Sequence, residues 1–224
     1  MILAIDTSSG TAVAVVDRDR GVLAEAVETD TRRHAEVVGE LIRAALAEAG
    51  VAPGDLSAVV AGTGPGPCTG LRVGIAAARA FAVGVGRPCL SLVSHDAVAL
   101  DRLTRDAGRS LDDVPTATDA PLVVVTDARR REVAWTAYSG LDADGVPVRV
   151  TEPALARPAD LDDATRDSGP APRTDPADTA VSAAALGVLA ERLHAAGRPF
   201  ADPAPLYLRE PDVTPSAGPK KVRQ

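Results

Sequence analysis

Three stretches of the chain hold residue types that could do chemistry. The first is Asp6-Thr7-Ser8-Ser9-Gly10, a carboxylate and three hydroxyls directly after the apolar run Ile2–Ile5. An aspartate at the end of a first strand can organise magnesium beside nucleotide phosphates while turn amides donate to them. The alternative is that Asp6 caps its own turn through the side chain. The second stretch, GTGPGPCTGLRVG, runs from Gly62 to Gly74 into an alanine-rich segment. It fails the P-loop pattern: five residues separate Gly64 from Gly70 instead of four, and Leu71-Arg72 stands where Lys-Ser/Thr is needed. It fails the dinucleotide fingerprint too, because the third glycine position falls on Pro67 or Thr69. Two readings remain, an anion at a helix N-terminus or a plain strand-to-helix turn with Thr69 as N-cap. The third stretch is Asp127-Ala128-Arg129-Arg130-Arg131, whose charges could meet RNA phosphates, meet an acidic partner, or simply be solvated.

Metal chemistry finds little support. His34 starts a helical pattern, but the residue four positions on is Val38, so no second imidazole shares its face. His95 and His194 are far apart in sequence, and Cys68 and Cys89 lack metal-ligand spacing. No metal is expected.

The elements that must position these residues follow from periodicity. Ile2–Ile5, Thr11–Asp17 and the run after Gly21 read as a three-strand antiparallel meander. His34–Ala49 has apolar residues at helical spacing and Gly50 in C-cap position. A strand over Leu56–Gly62, a helix over Leu71–Val83, a strand over Cys89–Val93 and a helix capped by Ser94 complete a series that reads βββαβαβα. A polar stretch, 104–121, separates this half (1–103) from a second meander within 122–202, whose strands include Val146–Glu152. Pro153–Thr179 is structurally weak, Ala180–Gly197 is a clear helix, and 203–224 is an extended tail anchored by Tyr207, Leu208 and Arg209. Two successive meander-plus-helix halves predict a duplicated α/β chain of two actin-like, ribonuclease-H-like lobes, the second shortened.

Composition narrows the functions. The 224 residues are 46% hydrophobic with only 2% aromatics, so the core is built from Ala, Val, Leu and Ile. A net charge of −7 removes long-range attraction to nucleic acid, which disfavours autonomous tRNA or DNA binding. No basic leader precedes Asp6, and no apolar run is expected to reach the ~18 residues of a membrane span. A cytoplasmic protein without membrane contact is expected.

The segments ILAIDTSSGTAVAVV, GPGPCTGLRVGIAAARAFA, VSHDAVAL, DARRREVAWTAY and PLYLREPDVTP occur in an order that resembles the TsaB (YeaZ) family. The resemblance implies a two-lobed actin-like ATPase fold and a non-catalytic role in making N6-threonylcarbamoyladenosine in tRNA. It implies pairing with the transferase TsaD through the first two helices, with the ATPase TsaE joining and tRNA reached only through the complex. Carried onto this chain, the contact falls on His34, Val38, Leu41, Thr69, Gly70, Leu71, Gly74 and Ala78, with Ala78 taken as outward-facing. A homodimer in the absence of TsaD is a further expectation. The competing reading is an actin-like ATPase or small-molecule kinase holding ATP-Mg weakly at Asp6, Thr7 and Ser8. Two departures from the family stand out: Pro67-Cys68 replaces Ser-Phe, and no Gly-x-Gly-Ala turn precedes the last helix.

Overall fold

The alternation of side chains along the first strand sets the layering of the molecule. In the computed structural model, which describes residues 1–177 and 179–209, β1 (Ile2–Asp6), β2 (Thr11–Asp17) and β3 (Gly21–Glu28) form the expected antiparallel meander. β4 (Ala58–Gly62) and β5 (Cys89–Leu92) extend the sheet in parallel, giving the order β3-β2-β1-β4-β5. Parallel neighbours require crossovers. These are supplied by α1 (His34–Ala49) and α2 (Cys68–Val85), which cover one face over Leu3, Ile5, Val13, Val15 and Val59.

Ile2, Ala4, Ala14, Val16 and Val60 point the other way. Against them lie α3 (Ser94–Asp106) and the last helix, numbered α5 (Ala183–Ala195) after a single turn, α4 (Leu161–Ala164). α5 approaches closely because Gly187 has no side chain: a methyl there would stand 2.6 Å from Val16 Cγ2. On its far side α3 packs on a second sheet, which contributes Leu122, Val124 and Tyr138 to the same core. That sheet has the order β6 (Leu122–Asp127), β7 (Val133–Leu141), β8 (Pro147–Arg149). β9 (Ala154–Ala156) pairs with the opening residues of β7.

Several expectations change. Pro67, not Thr69, is the N-cap of α2, and Thr69 lies inside the first turn. Ser94 is the first helical residue of α3 and makes no cap; its hydroxyl is used elsewhere. Pro153–Thr179, expected to be structurally weak, contains β9 and α4 and seals the outer face of the second sheet through Ala156 and Leu161 against Val123, Val125 and Trp135. Among the described helices α2, with 18 residues, is long and apolar enough to cross a membrane by length and composition alone, although Arg72 and Arg79 interrupt its apolar run. Its Leu71, Ile75, Ala78 and Ala82 are buried against the sheet, as in a core helix. By contrast, Gly50 takes the left-handed C-cap conformation the sequence suggests, at φ 65°. Lys220, Lys221 and Arg223 lie outside the described residues.

Candidate functional site

The period-two alternation of β1 continues into the turn beyond it. Asp6 falls toward the start of α3 and Thr7 toward α2, so one dipeptide serves two layers. Asp6 is 1% exposed. Its Oδ1 accepts from the Ser8 amide at 2.7 Å and the Ser8 hydroxyl at 2.6 Å, while Oδ2 accepts from Ser94 Oγ at 2.5 Å. Ser94 Oγ in turn accepts from the Gly64 amide at 3.0 Å, so the carboxylate fixes the start of the glycine loop. Burial pushes the Asp6 carboxyl above its usual 3.8, and the hydrogen bonds from Ser8 and Ser94 pull it back. Gly62 is required beside it, because a methyl there would stand 1.8 Å from Asp6 Oδ2. Both carboxylate oxygens are therefore engaged inside the protein. The arrangement is that of a turn cap extended through Ser94.

Thr7 reaches into α2. Its Oγ1 donates to the Gly70 carbonyl at 2.7 Å and accepts from the Gly74 amide at 3.0 Å. A methyl on Gly74 would come within 2.2 Å of Thr7 Oγ1, and one on Gly70 within 2.6 Å of the Thr7 carbonyl oxygen. His34, the first residue of α1, closes the same junction. Its Nδ1 shares a 2.8 Å hydrogen bond with Thr11 Oγ1, and its Nε2 would lie 3.2 Å from a methyl on Gly70. Desolvation lowers the His34 pKa below 6.5. The sequence separates Thr7, Thr11, His34, Gly70 and Gly74; the fold brings all five together.

Between the two sheets' turn ends opens a cleft of about 920 Å³, bordered by Ser9, Thr31, His34, Thr69, Arg129 and Arg131. Asp127 also borders it but is exposed, and its Oδ1 accepts from the Arg129 amide at 2.9 Å. Arg129, Arg130 and Arg131 all have left-handed backbones, at φ 62°, 54° and 63°. Arg129 Nη2 donates across the cleft to Thr31 Oγ1 at 2.8 Å. The cluster is thus an exposed turn that ties the second sheet to the segment before α1.

The proposed docking residues divide sharply. Val38, Gly70, Leu71, Gly74 and His34 are buried, Leu41 is half-buried, and Thr69 is exposed. Ala78, expected on the outer face of α2, is 0% exposed and packs on the sheet with Ile75 and Ala82. The helical period decides this, since Leu71, Gly74, Ile75, Ala78 and Ala82 lie along one stripe. The outward face carries Arg72, Ala76, Arg79, Ala80 and Val83, the last 82% exposed. On α1, Val37, Leu41 and Ala44 form a matching partly exposed row.

Two further groups carry no signal in the sequence. His95 is fully buried between the Oγ1 atoms of Thr136 and Thr126, each 2.8 Å away, and burial drives its pKa to about 3. The neighbouring Asp96 accepts from Tyr138 Oη at 2.8 Å and from Arg149 Nε at 2.7 Å. Only partners 31 or more residues away explain either residue. The tail anchor reads as expected: Arg72 Nε donates to Tyr207 Oη at 2.7 Å, and Arg209 pairs with Glu132.

Residues 16–195 match the family model TsaD, tRNA N6-adenosine threonylcarbamoyltransferase. A protein of Mycobacterium tuberculosis is 38% identical, with 96% of this chain and 95% of that protein aligned. The tRNA threonylcarbamoyladenosine biosynthesis protein TsaB of Bacillus subtilis is 31% identical over 62% of this chain and 54% of its own length. YeaZ from Pseudomonas aeruginosa superposes with a TM-score of 0.71 at 25% identity, covering 92% of this chain and 99% of YeaZ.

Proposed function

The chain belongs to the TsaB (YeaZ) family of tRNA threonylcarbamoyladenosine biosynthesis, and from that premise we propose that it is a non-catalytic partner of TsaD. It docks through the outward rows of α1 and α2, in an assembly that TsaE joins and that alone brings tRNA within reach. The observation that carries this reading is the exposed small-residue face of α2, Ala76, Ala80 and Val83 between Arg72 and Arg79, together with the partly exposed row Val37, Leu41 and Ala44 on α1. Small side chains let a partner helix approach the backbone closely, and an exposed apolar row favours being covered. A non-catalytic role is supported by Asp6, whose oxygens already accept hydrogen bonds from Ser8 and Ser94.

Val83→Glu places a charge within this contact, where desolvation without a partner costs several kcal/mol. Titration calorimetry against TsaD is expected to show at least a tenfold weaker Kd, with the melting temperature unchanged. Equal affinity would remove α2 from the contact. Ala78→Glu, by contrast, is expected to unfold the chain. The same face supports self-pairing in the absence of TsaD, which sedimentation of Val83→Glu against the parent chain tests.

A second reading draws on the cleft of about 920 Å³ with Arg129 and Arg131 at its border: weak binding of ATP-Mg to the isolated chain near Asp6, Thr7 and Ser8. Calorimetry with ATP, with and without magnesium, decides it. Magnesium-dependent binding lost in Asp6→Asn supports this reading, and the absence of heat ends it.

A further inference from the structure

Gly70 and Gly74 stand in the relation of acceptor and donor within an α-helix, where the amide of one residue bonds the carbonyl four positions earlier. Thr7 Oγ1 touches both groups, donating to the Gly70 carbonyl at 2.7 Å and accepting from the Gly74 amide at 3.0 Å. A hydroxyl from the end of β1 is therefore inserted into the ladder of α2 at its first turns. A side chain entering this ladder is one of the few physical causes that set the direction of a helix.

The insertion demands a gap that only glycine leaves. With a methyl on Gly74 the Thr7 hydroxyl would be overlapped at 2.2 Å, and with one on Gly70 the Thr7 carbonyl would be overlapped at 2.6 Å. The same point fixes α1. His34 leans on Gly70 and is held by Thr11 at the start of β2. Thr7 and Thr11 belong to the β1–β2 hairpin and its turn, so both docking helices are referenced to one rigid corner of the sheet.

We infer that Thr7 is a positioning residue for the docking face: its hydroxyl bolts α2 to the end of β1 and thereby sets the angle between α1 and α2 that a partner reads. This inference rests on the proposed pairing with TsaD. It assigns the turn after β1, in this chain, the task of aiming a protein surface. The hydroxyl touches neither partner nor substrate, and acts only through α2.

The test compares Thr7→Val, which keeps the shape and removes the hydroxyl, with Thr7→Ser, which keeps the hydroxyl. Leu186→Ala, truncated in the core on the opposite side of the sheet, serves as a control for stability. Calorimetry with TsaD is expected to show about a tenfold weaker Kd for Thr7→Val, and a Kd within about twofold of the parent for both Thr7→Ser and Leu186→Ala. Hydrogen exchange on the isolated chain is expected to show faster exchange of the Gly74 amide in Thr7→Val and parent-like exchange in Thr7→Ser. If the parent chain binds TsaD and Thr7→Val binds equally well, the inference is overturned. If the parent chain does not bind TsaD, the pairing fails, and unchanged protection of Gly74 in Thr7→Val would separately refute the bolt. Should Thr7→Val not fold, Thr7→Ala is read against Thr7→Ser by the same two measurements.

Discussion

Each sheet ends its leading strand in an aspartate, and the two have opposite fates. Asp6 closes β1, is buried, and accepts three hydrogen bonds from Ser8 and Ser94. Asp127 closes β6, is exposed, and accepts from the Arg129 amide with the Arg129 guanidinium 3.3 Å away. The difference comes from the segment that each strand runs into. After β1 the chain turns through hydroxyl residues under two helices. After β6 it turns through three exposed arginines into β7. A carboxylate covered by helices becomes a structural anchor, whereas one left at a hairpin turn stays a surface charge.

The largest effect expected from this contrast is at Asp6. Asp6→Ala leaves the Ser8 and Ser94 hydroxyls buried without their acceptor, and is expected to cost about 3 kcal/mol in urea unfolding. A cost under about 1 kcal/mol would mean that the anchor is dispensable. The pH dependence of this site has a definite sign. Because the folded carboxyl lies above 3.8, its stabilising contribution is present below that pH and is lost as pH rises through the folded value. Asp6→Asn is expected to remove that slope.

His95 has the opposite sign. Its folded pKa of about 3 lies below 6.5, so its contribution is present above pH 6.5 and is lost as the pH falls toward 3. His95→Gln is expected to flatten unfolding free energy across this acidic window; an unchanged slope would place the acid sensitivity elsewhere. Next comes Gly187→Ala, which drives a methyl into Val16 where α5 meets the first sheet. A loss of about 1–3 kcal/mol is expected from overpacking, read by thermal melting. Smallest is Asp127→Ala, expected to change stability by less than about 1 kcal/mol because the ion pair with Arg129 is exposed. A large loss there would erase the distinction between the two aspartates.

Much of the fold is legible in the sequence because its signals are local. The meander, His34–Ala49 and the glycine cap at Gly50 rest on alternation, helical period and a single left-handed residue. β9 is not legible: three residues, Ala154–Ala156, carry too short a pattern, and only pairing with β7 makes them a strand. The site divides the same way. Asp6 and the glycine loop stand out by type, but Ser94 reads as a helix cap, because nothing local says that its hydroxyl goes to a carboxylate 88 residues earlier. Ala78 reads as outward because alanine carries no polarity to mark its side.

The order of elements and the small-residue character of α2 are thus properties of the sequence itself, since backbone preferences and period act over a few residues. Which face of α2 meets water, where Asp6 points, and why Gly70 and Gly74 must be glycine belong to the tertiary structure. Those answers depend on distances between atoms that the chain keeps tens of residues apart, and only folding sets them.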